Sequence, residues 1–177
     1  VRVFKGRDSI GVRGIKLAGK DFVVSMAIIN HVEANSEERL AYFKFRKSSS
    51  NEDEATDTIE QVDPNLINIS EERFADLSAQ EEWILTITSS GFGKRSSAHE
   101  YRESGRGGQG ISAANLERRD DTIISSFPVE EDDQIMLVTS TGQSIRCPVS
   151  GISRQSRSAS GVRVFNTAST ENVVSVA

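Results

Sequence analysis

The feature that most constrains this chain is a register that repeats at an offset of 51 residues: Gly91, Arg95, Arg106 and Gly110 recur as Gly142, Arg146, Arg157 and Gly161. The paired stretches read TITSSGFGKR and LVTSTGQSIR, then GRGGQGI and SRSASGV. A third copy of the later half stands near the start as GRDSIGV, with Arg7 four residues before Gly11. Self-similarity at about 50 residues implies an array of small sheets rather than one irregular core. Function is therefore sought on a repeated surface and not in a single pocket.

Each repeat parses by alternation and turn chemistry. Trp83 to Thr88 and Ile135 to Thr139 are β-branched and apolar runs that predict strands. Ser89-Ser90-Gly91 and Ser140-Thr141-Gly142 follow as turns, and second strands then carry an arginine, over Gly93 to Ser97 and Gln143 to Val149. A polar loop ends in Arg-x-x-x-Gly, and a third strand is expected from that glycine, over Gly11 to Leu17, Gly110 to Leu116 and Gly161 to Asn166. After a turn (Ala18 to Asp21, Glu117 to Asp121, Ala168 to Asn172), a fourth is expected over Phe22 to Ile29, Thr122 to Val129 and Val173 to Val176. Four antiparallel strands per unit make a propeller-like blade, so the fold class is all-β. Residues 1–32 read as the second half of one blade, 83–129 as a blade and 130–177 as the final blade, and the whole reads as a piece of a longer protein.

The step from Gly11 to Gly110 is 99 residues, which places an insertion of about 48 residues within 33–82. Ser36 to Phe43 and Ser70 to Leu77 each begin with serine followed by two acids, the signature of a capped helix start. Between them, Ser48 to Asp57 is almost devoid of apolar residues and is expected to be mobile. An acidic helical hairpin inserted between blades is the expectation. It also resolves the charge: residues 33–82 hold 14 acids and 5 bases, a net of −9, whereas the remainder holds 12 acids and 16 bases, a net of +4. An acidic insertion beside mildly basic repeats is a pattern seen where a surface meets nucleic acid.

Catalytic chemistry has little support. Gly105 to Gly110 spells G-x-G-x-x-G, but a polar loop precedes it and a strand-like segment follows, where a dinucleotide site needs a strand, then a helix. Glu130-Glu131-Asp132-Asp133 reads as a solvated turn rather than a cation site, and His31 and His99 lack a Cys or His neighbour at metal spacing. The single cysteine, Cys147, excludes an internal disulfide and fits a reducing cytoplasm. No signal-peptide pattern opens the chain and no apolar run approaches the ~20 residues of a membrane span.

The bases are more telling because they recur. Arg95 and Arg146 occupy one register, Arg7, Arg106 and Arg157 a second, and Arg13 and Arg163 a third; Lys94, Arg102 and Arg154 lie nearby. If blades are radially equivalent, each register is a row along a rim, suited to a polyanion that follows the curve. The same arginines could instead pair with acids of the next blade. Aromatic residues do not interleave with the bases in the sequence, and no recognition helix is apparent, so sequence-tolerant binding of duplex DNA is the version that fits.

GVRGIKL with VVS, then GFGKRSSAHEYRESGRGGQGI, then QIMLVTSTGQSIRCPVSGISRQSRSASGVRVF closely resemble the C-terminal domains of the DNA gyrase A family, over 1–32 and 81–177. The resemblance implies a β-pinwheel whose basic rim wraps double-stranded DNA. It also implies membership of a bacterial type II topoisomerase, an ATP-hydrolysing isomerase that introduces negative supercoils as an A2B2 assembly of gyrase A with gyrase B. The catalytic tyrosine and the ATP and magnesium sites would belong to other parts of that enzyme, leaving no catalytic residue and no cofactor here. The family's basic heptad appears only in degenerate form at Gly105 to Gly110, with Gln109 where lysine is expected. The related C-terminal domain of topoisomerase IV, and a propeller serving as a protein-interaction scaffold, are the competing readings.

Overall fold

The computed structural model describes residues 3–49, 69–116 and 121–177. The elements run α1 (Ser36–Ser49), α2 (Glu71–Ala79), β1 (Trp83–Thr88), β2 (Phe92–Ser97), β3 (Ile123–Val129), β4 (Gln134–Thr139), β5 (Ser144–Pro148), β6 (Val162–Arg163) and β7 (Val173–Val176). One sheet is ordered β3-β1-β2-β6 and the other β5-β4-β7. All ladders are antiparallel. The all-β, blade-like architecture with two inserted helices is the one the repeat predicts.

The 51-residue register survives in detail. β1 and β4 occupy equivalent positions, and each hairpin is followed by a 3₁₀ turn, Ala98–Glu100 and Val149–Gly151. Thr88 Oγ1 accepts from the Phe92 amide at 3.2 Å, and Thr139 Oγ1 accepts from the Gln143 amide at 3.2 Å. A carboxylate closes each turn from the far side. Asp121 accepts from the Ser89 hydroxyl at 2.7 Å and the Ser90 amide at 3.1 Å; Glu171 accepts from the Thr139 hydroxyl at 2.5 Å. Burial alone would raise the Asp121 carboxyl, but bonds donated by Ser90, Thr88 and Ser89 hold it below its usual range. Leu85, Ile87 and Val129 of the first sheet and Ile135, Leu137 and Val173 of the second form one shared core.

The expected strands are not all present. Val162–Arg163 is a strand, yet it pairs with β2 in the other sheet and not within its own sequence unit. The fourth place in the first sheet is thus filled by the following repeat, which interlocks the two. Gly110 to Leu116 forms no strand, nor do Gly11 to Leu17 and Phe22 to Ile29. A strand exists only where a neighbour completes its ladder. Among the described residues, the N-terminal segment makes a few such bonds, from the Lys16 amide to Gly108 O at 2.8 Å and from the Gly107 amide to Gly14 O at 2.8 Å. Its Phe22, Met26 and Ile28 remain exposed.

The helical hairpin is as expected, with one change of cap. Asn35 caps α1, not Ser36. Asn35 Oδ1 accepts from the Glu38 amide at 2.8 Å while Glu38 Oε2 accepts from the Asn35 amide at 3.0 Å, a reciprocal capping box. Ser70 caps α2 through the Arg73 amide at 3.1 Å. Tyr42, Leu77 and Val32 form a second small core, in which Tyr42 stacks on Phe74 and meets His99 of the blade edge-on. The stretch expected to be mobile, Ser48 to Asp57, falls mostly outside the described residues, as does most of the turn Glu117 to Asp121.

Candidate nucleic-acid interface

The ten bases singled out by the repeat separate into three groups. Lys94 and Arg95, on β2, are not on the rim: they are 1% and 4% exposed. β2 is an interior strand, flanked by β1 and β6, and every residue from Gly93 to Ser97 is buried. Lys94 Nζ donates to Ser156 O at 2.7 Å and to Arg157 O. Burial pushes its ammonium down to about 8, partly opposed by the Glu100 carboxylate and reinforced by Arg157. Arg95 donates from Nε to Ile152 O at 2.7 Å and from Nη1 to Glu131 Oε2 at 2.6 Å. These two bases bolt one repeat to the next, so the expectation that they contact DNA is corrected.

A second group is outward-facing but engaged. Arg154 donates to the same Glu131 oxygen at 2.7 Å and lies 4.5 Å from the centroid of the Trp83 ring. Hydrogen bonds from Arg95 and Arg154 hold the Glu131 carboxyl below its usual range. Arg163 is exposed and lies 4.6 Å from the centroid of Phe92. Arg157 is half-buried; its side chain donates to Ser112 O and its amide to Glu100 Oε2 at 2.6 Å. Burial raises the Glu100 carboxyl, against the bond from the Arg157 amide and the charges of Lys94 and Arg157.

The third group is Arg7, Arg13, Arg102, Arg106 and Arg146, all exposed. Among the described residues, none of these five side chains is engaged in a hydrogen bond or an ion pair. Arg146 shares its register with Arg95, yet β5 is the edge of its three-stranded sheet and alternates between exposed and half-buried positions. Equal sequence register thus gives different exposure because only one of the two strands is covered. The paired segments 14–16 and 107–108 bring Lys16 beside the Arg106 loop, an exposed base that the repeat pattern does not mark.

Two features went unread in the sequence. Glu131 belongs to the acidic turn taken as solvated, yet it is the shared acceptor of two arginines from different segments. Trp83 and Phe92 form stacking platforms for Arg154 and Arg163 that no local interleaving announces. Among the described residues, no group of three or more His, Cys, Asp or Glu is placed to hold a metal ion. No described helix is long and apolar enough to cross a membrane.

A family model described as "DNA gyrase C-terminal domain, beta-propeller" matches residues 1–30, 82–130 and 133–177, skipping the helical insertion. The DNA gyrase A protein of Granulibacter bethesdensis is 44% identical over 187 residues, covering 99% of this chain and 20% of that protein. The DNA gyrase A protein of Rickettsia prowazekii is 36% identical over 176 residues, covering 99% of this chain and 19% of that one. A solved DNA gyrase A C-terminal domain superposes with a TM-score of 0.51 at 26% identity, over 54% of this chain and 33% of that one. The chain therefore spans about a fifth of the length of the curated relatives it matches.

Proposed function

The chain belongs to the DNA gyrase C-terminal domain family, and on that premise we propose that it binds duplex DNA along a basic rim and helps to wrap it. The observation that carries this reading is the set of unengaged guanidiniums at Arg7, Arg13, Arg102, Arg106 and Arg146, most of them at recurring positions. Arg154, Arg157 and Arg163 lie on the same loops and strands and join them when a phosphate displaces their present contacts. Guanidinium groups recognise phosphate oxygens through paired N–H donors, without reading bases. Such contacts position the duplex and leave sequence preference weak.

In the longer protein this surface would serve a type II topoisomerase, holding a DNA segment in the handedness that strand passage turns into negative supercoils. The remainder of gyrase A, together with gyrase B in an A2B2 assembly in the bacterial cytoplasm, would be its partners. Bond breakage and ATP hydrolysis with magnesium would lie in those other parts, so this chain's contribution is binding and shape.

The test is a titration of duplex DNA across salt concentrations with a topological readout of wrapping. About five to six phosphate contacts predict a slope of log affinity against log salt near −5. No binding at about 50 mM salt, where phosphate contacts are strong, would sink the reading in favour of a protein-interaction scaffold.

A further inference from the structure

Trp83 stands where the helical insertion meets the rim. It is the first residue of β1, directly after the last residues of the insertion. From α1, the Arg46 guanidinium lies 5.6 Å from the centroid of the Trp83 ring; from the rim loop, that of Arg154 lies 4.5 Å away. Arg46 is itself fixed, by an ion pair with Glu81 at 3.0 Å and by the Phe43 ring at 5.1 Å. Arg154 is fixed on its other side by Glu131, which also holds the buried Arg95. One indole thus joins the insertion to an outward-facing base.

A guanidinium near an indole is held by the ring quadrupole, and the hold depends on the ring keeping its orientation. Arg46 and the aromatic cluster of the hairpin keep that orientation. The fixed ring and the Glu131 carboxylate then compete with any phosphate for Arg154. We propose that the insertion restrains DNA binding through this seat: Arg46 fixes Trp83, Trp83 with Glu131 keeps Arg154 engaged, and a phosphate must displace both. The inference rests on the reading that the rim binds duplex DNA.

Charge alone makes the opposite prediction, which gives the test its sign. Removing the base Arg46 should weaken DNA binding by simple electrostatics, whereas loosening the seat should strengthen it. The 177-residue chain has a single tryptophan, so Trp83 reports on the seat directly. Arg46→Ala is expected to shift Trp83 emission without DNA and to raise affinity for a random-sequence duplex about two- to fivefold at roughly 100 mM salt, the range expected of one cation–π contact. Arg46→Lys keeps the charge and loses the planar stack, and should act in the same direction. It carries the test if circular dichroism shows that Arg46→Ala has lost the helices.

Arg154→Ala should lower affinity and abolish the effect of either Arg46 substitution. An equal effect of Arg46→Ala with and without Arg154 would overturn the restraint, as would lowered affinity in Arg46→Lys. Absence of DNA binding by the unsubstituted chain would instead sink the functional reading. The Trp83 emission of the Arg46 and Arg154 single and double variants would then test the seat by itself, and additive shifts would overturn it.

Discussion

Arg95 of one repeat and Glu131 of the turn that opens the next are joined by a bond of 2.6 Å, and Arg95 is 4% exposed. The bond takes a recurring base out of the rim and makes it an inter-repeat fastener. Glu131 is exposed and keeps Arg154, so truncating Arg95 leaves no buried charge unpaired; it removes a buried stem and leaves the Ile152 carbonyl without its donor. Arg95→Ala should therefore destabilise the chain by about 1–3 kcal/mol, through the unsatisfied Ile152 carbonyl and the lost packing. Equilibrium denaturation measures this. A loss of DNA affinity without loss of stability would show that Arg95 faces the duplex after all.

Arg146 shares the register of Arg95 and should behave in the opposite way. It is exposed on an edge strand and, among the described residues, unengaged. Arg146→Ala and Arg106→Ala should each change stability by no more than about 0.5 kcal/mol. Each should weaken DNA binding evenly across sequences and reduce the salt slope by about 1. Binding isotherms at several salt concentrations on two unrelated duplexes check both parts.

The contrast between Arg95 and Arg146 marks how far sequence reasoning reaches in this chain. Hairpins and their turns were legible because strand alternation and the Ser/Thr-x-Gly turn are local chemistry. The α2 cap at Ser70 was legible for the same reason. Exposure was not, because it depends on which strand lies beside β2 and which beside β5, and a distant segment of the following repeat sets that. The capture of Val162–Arg163 by the first sheet is the physical reason that Lys94 and Arg95 are covered. Glu131 was illegible too: its two partners, Arg95 and Arg154, lie 36 and 23 residues away on opposite sides of it in the chain.

The recurring turn glycines divide on the same grounds. Gly91 and Gly142 both have positive φ, +79° and +86°. A side chain at Gly142 would meet open space, whereas a Cβ on Gly91 would stand 2.3 Å from Phe165 O, where the following repeat docks. Gly142→Ala should cost about 1–2 kcal/mol for backbone strain alone. Gly91→Ala should cost about 2 kcal/mol more, since the interlocked segment must move. Thermal unfolding of the two variants side by side measures the difference. Equal losses would mean that Phe165 does not hold its place against β2.

Lys94 gives the fold a distinctive response to alkali. Its ammonium is 1% exposed and is held at about 8, below its value of 10.5 in an open chain. Below pH 8 both folded and unfolded chains carry the proton, and the fold bears the full cost of burying the charge. Between pH 8 and about 10 the unfolded chain keeps a proton that the folded chain has released, so stability rises with pH in that window. Two pH units at about 1.36 kcal/mol each give a rise of roughly 2–3 kcal/mol. Above about pH 10 the trend should reverse, because burial pushes the Tyr42 hydroxyl up to about 12 and unfolding then releases its proton. The neutral amine still has two N–H donors for Ser156 O and Arg157 O, so the tie between repeats persists as the charge leaves. Lys94→Met removes the titrating group and should flatten the rise between pH 8 and 10, whatever its effect at neutral pH. Chemical denaturation at closely spaced pH values decides the point: the same slope in both proteins would assign the rise to another group.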